Sequence, residues 1–454
     1  MRPYHVAIVG SGPSGYFAAA SLLKFADSTA GSEEARDVRV DVLEMLPTPW
    51  GLVRSGVAPD HPKIKTISAQ FEKVASDPRF RFFGNIRVGE DVQADELADR
   101  YDAVVYAVGA QADRPLGIPG EELPGSVAAV DFVGWYNAHP HFEEMAPDLS
   151  TGRAVVVGNG NVALDVARIL VSDPDALANT DIADHALESL HARGVEEVVV
   201  LGRRGPLQAT FTTLELRELG DLEAMSDVDV VVDPADFADI SDEDLEAAGK
   251  TVKQNVKVLR SYADKPLRGA KRRIVFRFHT SPIEIKGDSR VTSIVLGGNE
   301  LVDEGGRLVA KDTGAREELP TQLVVRAVGY RGVPTPGLPF DERSGTIPHT
   351  DGHVDGTDNS YVVGWIKRGP SGVIGSNKKD SAATVETLLA DLAAADLADE
   401  LEDPADWLLS RQPRLVTNDH WKVIDAHERN TGGPMGRPRV KLTNVAEFLR
   451  IGHG

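Results

Sequence analysis

The stretch His5-Val6-Ala7-Ile8-Val9-Gly10-Ser11-Gly12-Pro13-Ser14-Gly15 joins a short apolar run to a glycine-rich turn. Apolar residues at helical spacing follow it, so the pattern predicts a strand, a tight turn and a helix. In such a unit Gly10 permits the turn, Gly12 lets the backbone approach a pyrophosphate, and Gly15 lets the helix pack closely on the strand. The phosphates lie at the helix N-terminus. The sequence therefore predicts a dinucleotide site near the start of the chain.

A second parallel strand is predicted at residues 38–44, and it ends on an acid, Glu44. An acid at this position typically binds the ribose of the nucleotide, and a surface glutamate is the alternative. The segment 45–63 is rich in proline and glycine but has interleaved apolar residues, which favours an ordered loop. Further strands are predicted at residues 80–86 and 101–110.

A second strand, turn and helix begins at residue 154 and carries the pattern Gly158-x-Gly160-x-x-Ala163. The strand predicted at 198–201 ends on Arg203 and Arg204, where an NAD site would have an acid. Two guanidinium groups there can bind a 2'-phosphate, so the second nucleotide is predicted to be NADP(H). A solvated basic turn is the alternative.

Composition limits the function. The 454 residues include no cysteine, which excludes disulfides, iron–sulfur ligation and a redox dithiol within this sequence. The formal charge is -21, from 49 basic and 70 acidic residues, and it argues against nucleic acid as a partner. No apolar run approaches the ~20 residues of a membrane span, and we expect no signal segment before the first strand. We therefore expect a cytoplasmic protein, and residue spacing indicates no metal site.

A local reversal of charge stands out against this acidic background. Residues 260–277 contain a single acid, Asp264, among seven basic residues: Arg260, Lys265, Arg268, Lys271, Arg272, Arg273 and Arg277. The segment is interpreted as a docking surface for an acidic partner, with a solvated face as the alternative.

The last third of the chain is expected to return to the first domain. Residues 324–330 repeat the pattern of residues 106–110, and a strand at 361–365 leads into a glycine-rich loop, with a long helix from about Asp380. Such a loop suits an anionic group, for example the electron-rich edge of a reduced flavin, and a simple turn is the alternative. Residues 407–454 are expected to pack against the first domain.

These patterns predict an α/β fold with two Rossmann-like dinucleotide-binding domains. The first is discontinuous, at residues 1–110 and 323–454, and the second covers residues 111–322. One nucleotide would be held permanently and the other would exchange, so a flavin fits the first site and NADPH the second. Because a dithiol is lacking, electrons must leave the flavin for a protein partner or a small acceptor.

Five runs together resemble the adrenodoxin reductase type of ferredoxin-NADP+ reductase, in its bacterial form: residues 46–54, 58–63, 158–168, 202–206 and 367–375. The resemblance covers essentially the whole chain. It implies a glutathione-reductase-like two-domain flavoprotein with FAD and NADP(H). The implied activity is that of an NADPH:ferredoxin oxidoreductase, with hydride transfer from NADPH to flavin N5 and single-electron transfer to a ferredoxin.

The resemblance also implies site residues, which we carry over position by position. The FAD set is Gly10, Gly12, Ser14, Gly15, Glu44, Leu52, Ile86, Trp365, Gly372, Val373 and Ile374. The NADPH set is Asn159, Gly160, Asn161, Val162, Arg203, Arg204 and Glu215, with Arg114 and Gly372 nearby. The implied active-site groups are His61, Glu218 and Asp165, which would tune the potential and supply protons. The implied ferredoxin-docking residues are Arg217, Arg260, Arg268, Lys271, Arg272 and Arg273.

Two other functions stay open from the sequence. One is an NADPH diaphorase or oxidase acting on small acceptors such as quinones. The other is a non-catalytic protein that senses nucleotides or serves as a scaffold. Acceptor kinetics separate the first from a ferredoxin reductase, and rapid bleaching of a bound flavin by NADPH would exclude the second.

Overall fold

A computed structural model of the protein describes residues 2–31, 36–372 and 374–454. The chain divides into two compact units. The first comprises Met1–Ala112 together with Tyr330–Gly454, and the second comprises Asp113–Gly329. The first unit is therefore discontinuous in sequence.

The strands of the described residues are β1 (Tyr4–Val9), β2 (Val38–Glu44), β3 (Phe80–Gly84), β4 (Ala103–Tyr106), β5 (Ala112–Asp113), β6 (Ser126–Ala128), β7 (Arg153–Val157), β8 (Glu197–Leu201), β9 (Val228–Val231), β10 (Arg272–Arg277), β11 (Thr280–Lys286), β12 (Ser293–Asp303), β13 (Leu308–Pro320), β14 (Leu323–Arg326), β15 (Tyr330–Arg331), β16 (His349–Thr350), β17 (His353–Val354), β18 (Ser360–Val362) and β19 (Val416–Thr417).

The helices are α1 (Pro13–Thr29), α2 (Leu52–Ser55), α3 (Pro62–Lys65), α4 (Ser68–Ala75), α5 (Ala94–Ala98), α6 (Ala129–Tyr136), α7 (Asn161–Val171), α8 (Pro174–Leu177), α9 (Asp184–His191), α10 (Thr213–Met225), α11 (Asp242–Ala247), α12 (Lys250–Ala263), α13 (Trp365–Arg368), α14 (Ile374–Ala394), α15 (Ala405–Arg411), α16 (Asn418–Gly432) and α17 (Val445–His453). Among the residues that the structure describes, no helix combines the length and the apolar character needed to cross a bilayer.

The first unit is built on an eight-stranded sheet with the order β16-β17-β18-β4-β1-β2-β3-β19. Strands β4, β1, β2 and β3 run parallel, and β18 pairs parallel with β4. One face is buried against α1, α14, α16 and α17, through side chains such as Leu22, Leu388 and Phe448. The opposite face packs against Leu97 and Leu408. Parallel strands buried on both faces explain the continuous apolar runs of this part of the sequence.

The second unit contains a six-stranded sheet with the order β6-β14-β7-β8-β10-β9, in which all pairs are parallel. One face packs against α6, α7, α10 and α12. The other face is covered by the antiparallel sheet β11-β12-β13, through Ile285, Ile294 and Leu296. The second unit thus repeats the strand, turn and helix of the first unit around a separate core.

Three expectations from the sequence differ from the structure. Strand β14 was expected in the first domain, but it pairs with β6 and β7, so the chain returns after Gly329 rather than at residue 323. The strand expected at 361–365 ends at Val362, because Gly364 has a positive φ of 77° and Trp365 begins α13. Helix α14 begins at Ile374 rather than near Asp380. An apolar run predicts a strand but not the sheet that the strand joins. When the first turn of a helix is mostly polar, the spacing of apolar residues does not show where the helix begins.

Candidate active site

The first glycine-rich turn lies between β1 and α1, at the carboxyl edge of the first sheet. Gly10 has a φ of 105°, and a Cβ atom there would lie 2.6 Å from the carbonyl oxygen of Ala107. Gly15 packs directly against Gly10. By contrast, a Cβ at Gly12 would meet no described atom within 4 Å. Gly10 and Gly15 are therefore required by the fold, whereas Gly12 borders open space at the N-terminus of a helix, where an anion is favoured.

Glu44 is buried at the end of β2, and its carboxylate faces this turn. Oε2 accepts hydrogen bonds from the Ser11 backbone N–H at 3.0 Å and hydroxyl at 2.6 Å, and Oε1 accepts from the Leu46 N–H at 3.1 Å. Burial raises the pKa of Glu44 above its ordinary value, although these hydrogen bonds oppose the shift. Sequence reasoning missed Ser11, because its role depends on an acid from the next strand.

Two other predicted residues lie on the loops that follow β2 and β3. Leu52 begins α2 and is exposed, whereas Ile86 is buried and its backbone N–H donates to the carbonyl oxygen of Glu44 at 3.0 Å. The backbone N–H of Trp50 donates to the carbonyl oxygen of Ser11 at 3.1 Å. The proline-rich loop therefore lies directly on the glycine turn.

The returning segment brings further predicted residues of the first unit to the turn. Gly364 leaves room for the Ser14 hydroxyl, and the Ser381 hydroxyl of α14 donates to the Ser14 carbonyl oxygen at 3.0 Å. The buried indole N–H of Trp365 has no hydrogen-bond acceptor among the described residues. Of the expected loop, Gly372 is exposed, Ile374 begins α14 and Val373 lies outside the described residues.

The second glycine-rich turn joins β7 to α7. A Cβ at Gly158 would collide with the carbonyl oxygen of Ala327, and its φ of 132° is accessible to glycine. The Asn159 carbonyl accepts from the Thr210 N–H at 3.1 Å, and the Asn161 side chain accepts from the Thr212 N–H at 2.7 Å. Gly160 precedes α7, with Val162 in its first turn. The turn is thus fixed by the loop that follows β8.

Arg203 and Arg204 extend from the end of β8, the strand next to β7. Their backbone carbonyls accept hydrogen bonds from the Asn299 side chain at 2.9 Å and the His279 N–H at 3.2 Å. Neither guanidinium group forms a hydrogen bond or ion pair with any residue in the described part of the chain. In a chain of formal charge -21, two arginines without acidic partners leave their charge available to an anion.

The predicted acids of the second unit gather around one cation that sequence reasoning did not single out. Arg168 of α7 is buried, and its Nη2 donates to Asp165 at 2.7 Å. Its Nη1 lies 3.7 Å from a carboxylate oxygen of Glu215 and 3.6 Å from one of Glu218, both on α10. Arg168 therefore fixes three predicted site residues on neighbouring helices. In the sequence, the only indication of this role is the position of Arg168 one helical turn after Asp165.

Two predicted site residues remain, one in each unit. His61 belongs to the first unit, is buried and precedes α3, with its backbone N–H donating to the Ala58 carbonyl at 3.1 Å. Arg114 is exposed near the start of the second unit, and its N–H donates to the Gly329 carbonyl at 3.0 Å.

Some of the basic residues at 260–277 are paired with acids in the structure. Arg268 pairs with Asp229 at 3.3 Å and Arg273 with Glu197 at 2.5 Å. The basic run at residues 271–273 lies at the amino end of β10, which runs parallel to β8. The turn at Arg203 follows the carboxyl end of β8. The two basic groups therefore lie at opposite ends of the strands of one sheet, about 16 Å apart. Acids distant in sequence therefore neutralise part of the charge that appeared unopposed.

Arg217 of α10 donates to Gln254 of α12 at 3.3 Å, so these two helices form one exposed face. Helix α12 has no acidic residue. Its basic residues recur on one side of the helix: Lys250, Lys253, Lys257 and Arg260.

Residues 4–219 match the family described as pyridine nucleotide-disulphide oxidoreductase. The chain is 69% identical to NADPH-ferredoxin reductase FprA of Mycobacterium tuberculosis, with 100% of both chains covered. It is 39% identical to the mitochondrial NADPH:adrenodoxin oxidoreductase of Salvelinus fontinalis, over 98% of this chain and 90% of the relative.

A solved structure of M. tuberculosis FprA in complex with NADPH is 68% identical and has a TM-score of 0.96, with 100% of each chain covered. The resemblance stated from the sequence and the predicted α/β fold with two dinucleotide-binding domains are both confirmed. This chain belongs to the NADPH-ferredoxin reductase family that includes FprA and the mitochondrial adrenodoxin reductases.

Proposed function

We propose that this protein is an NADPH:ferredoxin oxidoreductase that holds FAD in its first unit and binds NADPH in its second. The observation that carries the proposal is the pair of glycine-turn sites. In the second unit, two arginines that have no acidic partner among the described residues follow β8, the strand next to the one that leads into the turn. The balanced reaction takes two electrons from NADPH, releases NADP+ and one proton, and reduces two ferredoxins by one electron each. FAD supplies the conversion between two-electron and one-electron transfer.

The residues of the first unit fit FAD. Gly12 offers open backbone at the N-terminus of α1 for the pyrophosphate, and Glu44 is held by Ser11 beside that turn for the ribose. The Trp365 indole N–H is a buried donor that lacks a described acceptor, and such groups are normally satisfied, so a ligand oxygen or nitrogen is its expected partner.

In the second unit we assign the 2'-phosphate of NADPH to Arg203 and Arg204 and its pyrophosphate to the N-terminus of α7 at Gly160 and Asn161. Glu215 and Glu218 would then approach the nicotinamide half. Arg168 holds these carboxylates in place, so its role is to position them rather than to bind the nucleotide.

The first experiment is the absorption spectrum of the purified protein under anaerobic conditions, before and after one equivalent of NADPH or NADH. We expect a flavin spectrum that bleaches rapidly with NADPH and slowly with NADH. A colourless protein that also fails to bind added FAD would refute the assignment of the first site. Equal bleaching rates would refute the assignment of the arginine pair.

For the ferredoxin we propose docking on the face formed by α10 and α12, which carries Arg217, Lys257 and Arg260. Of the docking residues that the resemblance implies, this face keeps Arg217 and Arg260, and it adds Lys257. The residues at 268–273 are left out, since Arg268 and Arg273 are paired with acids and lie near the opposite end of the sheet from the nucleotide turn. Complementary charge mainly accelerates association, so docking should weaken as salt rises.

Charge reversal tests this face. We expect Arg217→Glu combined with Lys257→Glu to raise the KM for ferredoxin about tenfold or more, with dye reduction intact. The matched control reverses Lys271 and Arg273, and we expect less than about a threefold change. A larger effect of the control would move docking to the start of β10. Ferredoxin turnover that does not depend on salt would favour the diaphorase acting on small acceptors.

A further inference from the structure

Glu428 lies on α16, in the C-terminal segment (residues 407–454), and its side chain is fully buried. Arg54 donates two hydrogen bonds to it, from Nη1 to Oε2 at 2.9 Å and from Nη2 to Oε1 at 2.5 Å. The Leu442 N–H donates at 2.9 Å and Arg439 Nη1 at 3.0 Å. Burial by itself raises the pKa of Glu428, but the charges of Arg54 and Arg439 outweigh it and hold the pKa below its ordinary value. Glu428 is therefore a buried anion that holds two cations.

Arg54 connects this anion to the first glycine turn. It belongs to α2, which begins directly after Trp50 and Gly51. The Trp50 N–H donates to the Ser11 carbonyl at 3.1 Å, and a Cβ at Gly51 would lie 3.0 Å from the Cα of Gly12. The backbone that Arg54 holds is thus in contact with the turn to which we assign the FAD pyrophosphate.

The contacts around Trp50 come from the same C-terminal segment. Its ring meets that of Trp421 edge to face, with centroids 5.2 Å apart, and the guanidinium of Arg439 lies 5.5 Å from its ring centroid. Lys441 Nζ donates to the Arg54 carbonyl at 2.8 Å. Trp50 has a φ of 85°, which is strained for a residue with a side chain and persists only where neighbouring groups enforce it. The C-terminal segment supplies those groups.

We propose that Glu428 is a positioning residue for FAD: through Arg54 it holds Trp50 and Gly51 against Ser11 and Gly12, so that the C-terminal segment sets the affinity for the flavin. The proposal rests on the proposed function, in which the first unit binds FAD. Loss of the anion leaves the buried Arg54 guanidinium without a carboxylate among the described residues, whereas Arg439 keeps Asp425 at 2.6 Å. Arg54 must therefore move toward water, since an unpaired buried charge is costly. Movement of Arg54 withdraws the loop from the turn.

The test compares FAD binding by apoprotein variants, with a carboxylate of similar surroundings as control. Asp102 is buried, receives two hydrogen bonds from Arg2 at 2.6 Å each and one from the His5 N–H at 2.8 Å. It precedes β4, at the edge of the first sheet opposite the glycine turn. Asp102→Asn therefore breaks a similar pair in the same unit without touching the loop.

For each variant, flavin fluorescence quenching gives the Kd for FAD, and urea unfolding of the apoprotein gives its stability. Visible circular dichroism reports the environment of the bound isoalloxazine ring. We expect Glu428→Gln to raise the Kd about tenfold, or about 1.4 kcal/mol, and to change the dichroism. Asp102→Asn should lower stability with less than about a twofold change in Kd. Arg54→Lys keeps the charge but loses the paired hydrogen bonds, so its Kd should be intermediate.

An unchanged Kd in Glu428→Gln, or an equal rise in Asp102→Asn, would overturn the proposal. If Glu428→Gln does not fold, Arg54→Lys decides, and an unchanged Kd there overturns it as well. Failure of the underlying function is a different result, because the wild-type apoprotein would then bind no FAD.

Discussion

The arginine pair at the end of β8 gives the sharpest prediction about specificity. We expect Arg203→Ala combined with Arg204→Ala to convert the protein from an NADPH enzyme into one that hardly discriminates between NADPH and NADH. Neither guanidinium group has an acidic partner among the described residues, so truncation leaves no carboxylate unpaired. The loss therefore measures contacts with the 2'-phosphate alone.

The magnitude follows from exposure. A hydrogen bond to a charged group contributes about 1.5–3 kcal/mol. Arg203 is exposed and Arg204 is half-buried, so we apply the lower value to each arginine. Removal of both costs about 3 kcal/mol, which corresponds to a fall of about 150-fold in kcat/KM for NADPH. NADH lacks the 2'-phosphate, so its kcat/KM should change by less than about twofold.

Steady-state reduction of a dye acceptor measures both values without ferredoxin. Arg273→Ala is the matched control, since it removes an arginine of the same unit at the other edge of the sheet. Raising the salt concentration should weaken NADPH use by the wild type far more than by the double variant. Equal losses with NADPH and NADH would refute the assignment, because they would indicate damage to the whole site.

Three other predictions follow from local geometry. Gly12→Ala should fold with wild-type stability but bind FAD weakly. Gly10→Ala should destabilise the first unit, because its Cβ would lie 2.6 Å from a carbonyl oxygen and Gly10 has a φ of 105°. Equal unfolding curves for the two variants would contradict this. Glu44→Ala should lose bound FAD on gel filtration, and full retention of flavin would assign the ribose contact to another group. Because the pKa of Glu428 is lowered in the folded state, its contribution to stability is complete above pH ~4.3 and is lost as the pH falls through the lower folded value. Glu428→Gln should therefore lose less stability than the wild type on acidification below that pH in urea titrations, and parallel profiles would contradict this.

The strand, turn and helix that begin each nucleotide-binding sheet could be predicted because their signals are local. Gly10 and Gly158 must adopt backbone angles that glycine tolerates, and the strand and helix on either side are encoded within a few residues. The basic end of β8 was equally visible, since Arg203 and Arg204 are adjacent in sequence. Such features predicted the fold class and the kind of nucleotide at each site.

The basic segment illustrates what a local pattern cannot predict. Residues 260–277 contain one acid, yet Arg268 and Arg273 find carboxylates on Asp229 and Glu197, which come from other strands. Charge counted along a chain omits the acids that folding brings alongside, and electrostatic interactions depend on distance in space.

The sequence by itself determined the two dinucleotide turns, the acid after β2 and the arginines after β8, because each depends on backbone geometry or spacing within one short segment. Only the tertiary structure decided that β14 joins the second sheet, that Arg168 collects three acids and that Glu428 holds Arg54 across more than 370 positions. Pairing of strands and burial of charge are long-range choices. They are made by the complementarity of whole surfaces, which no single segment encodes.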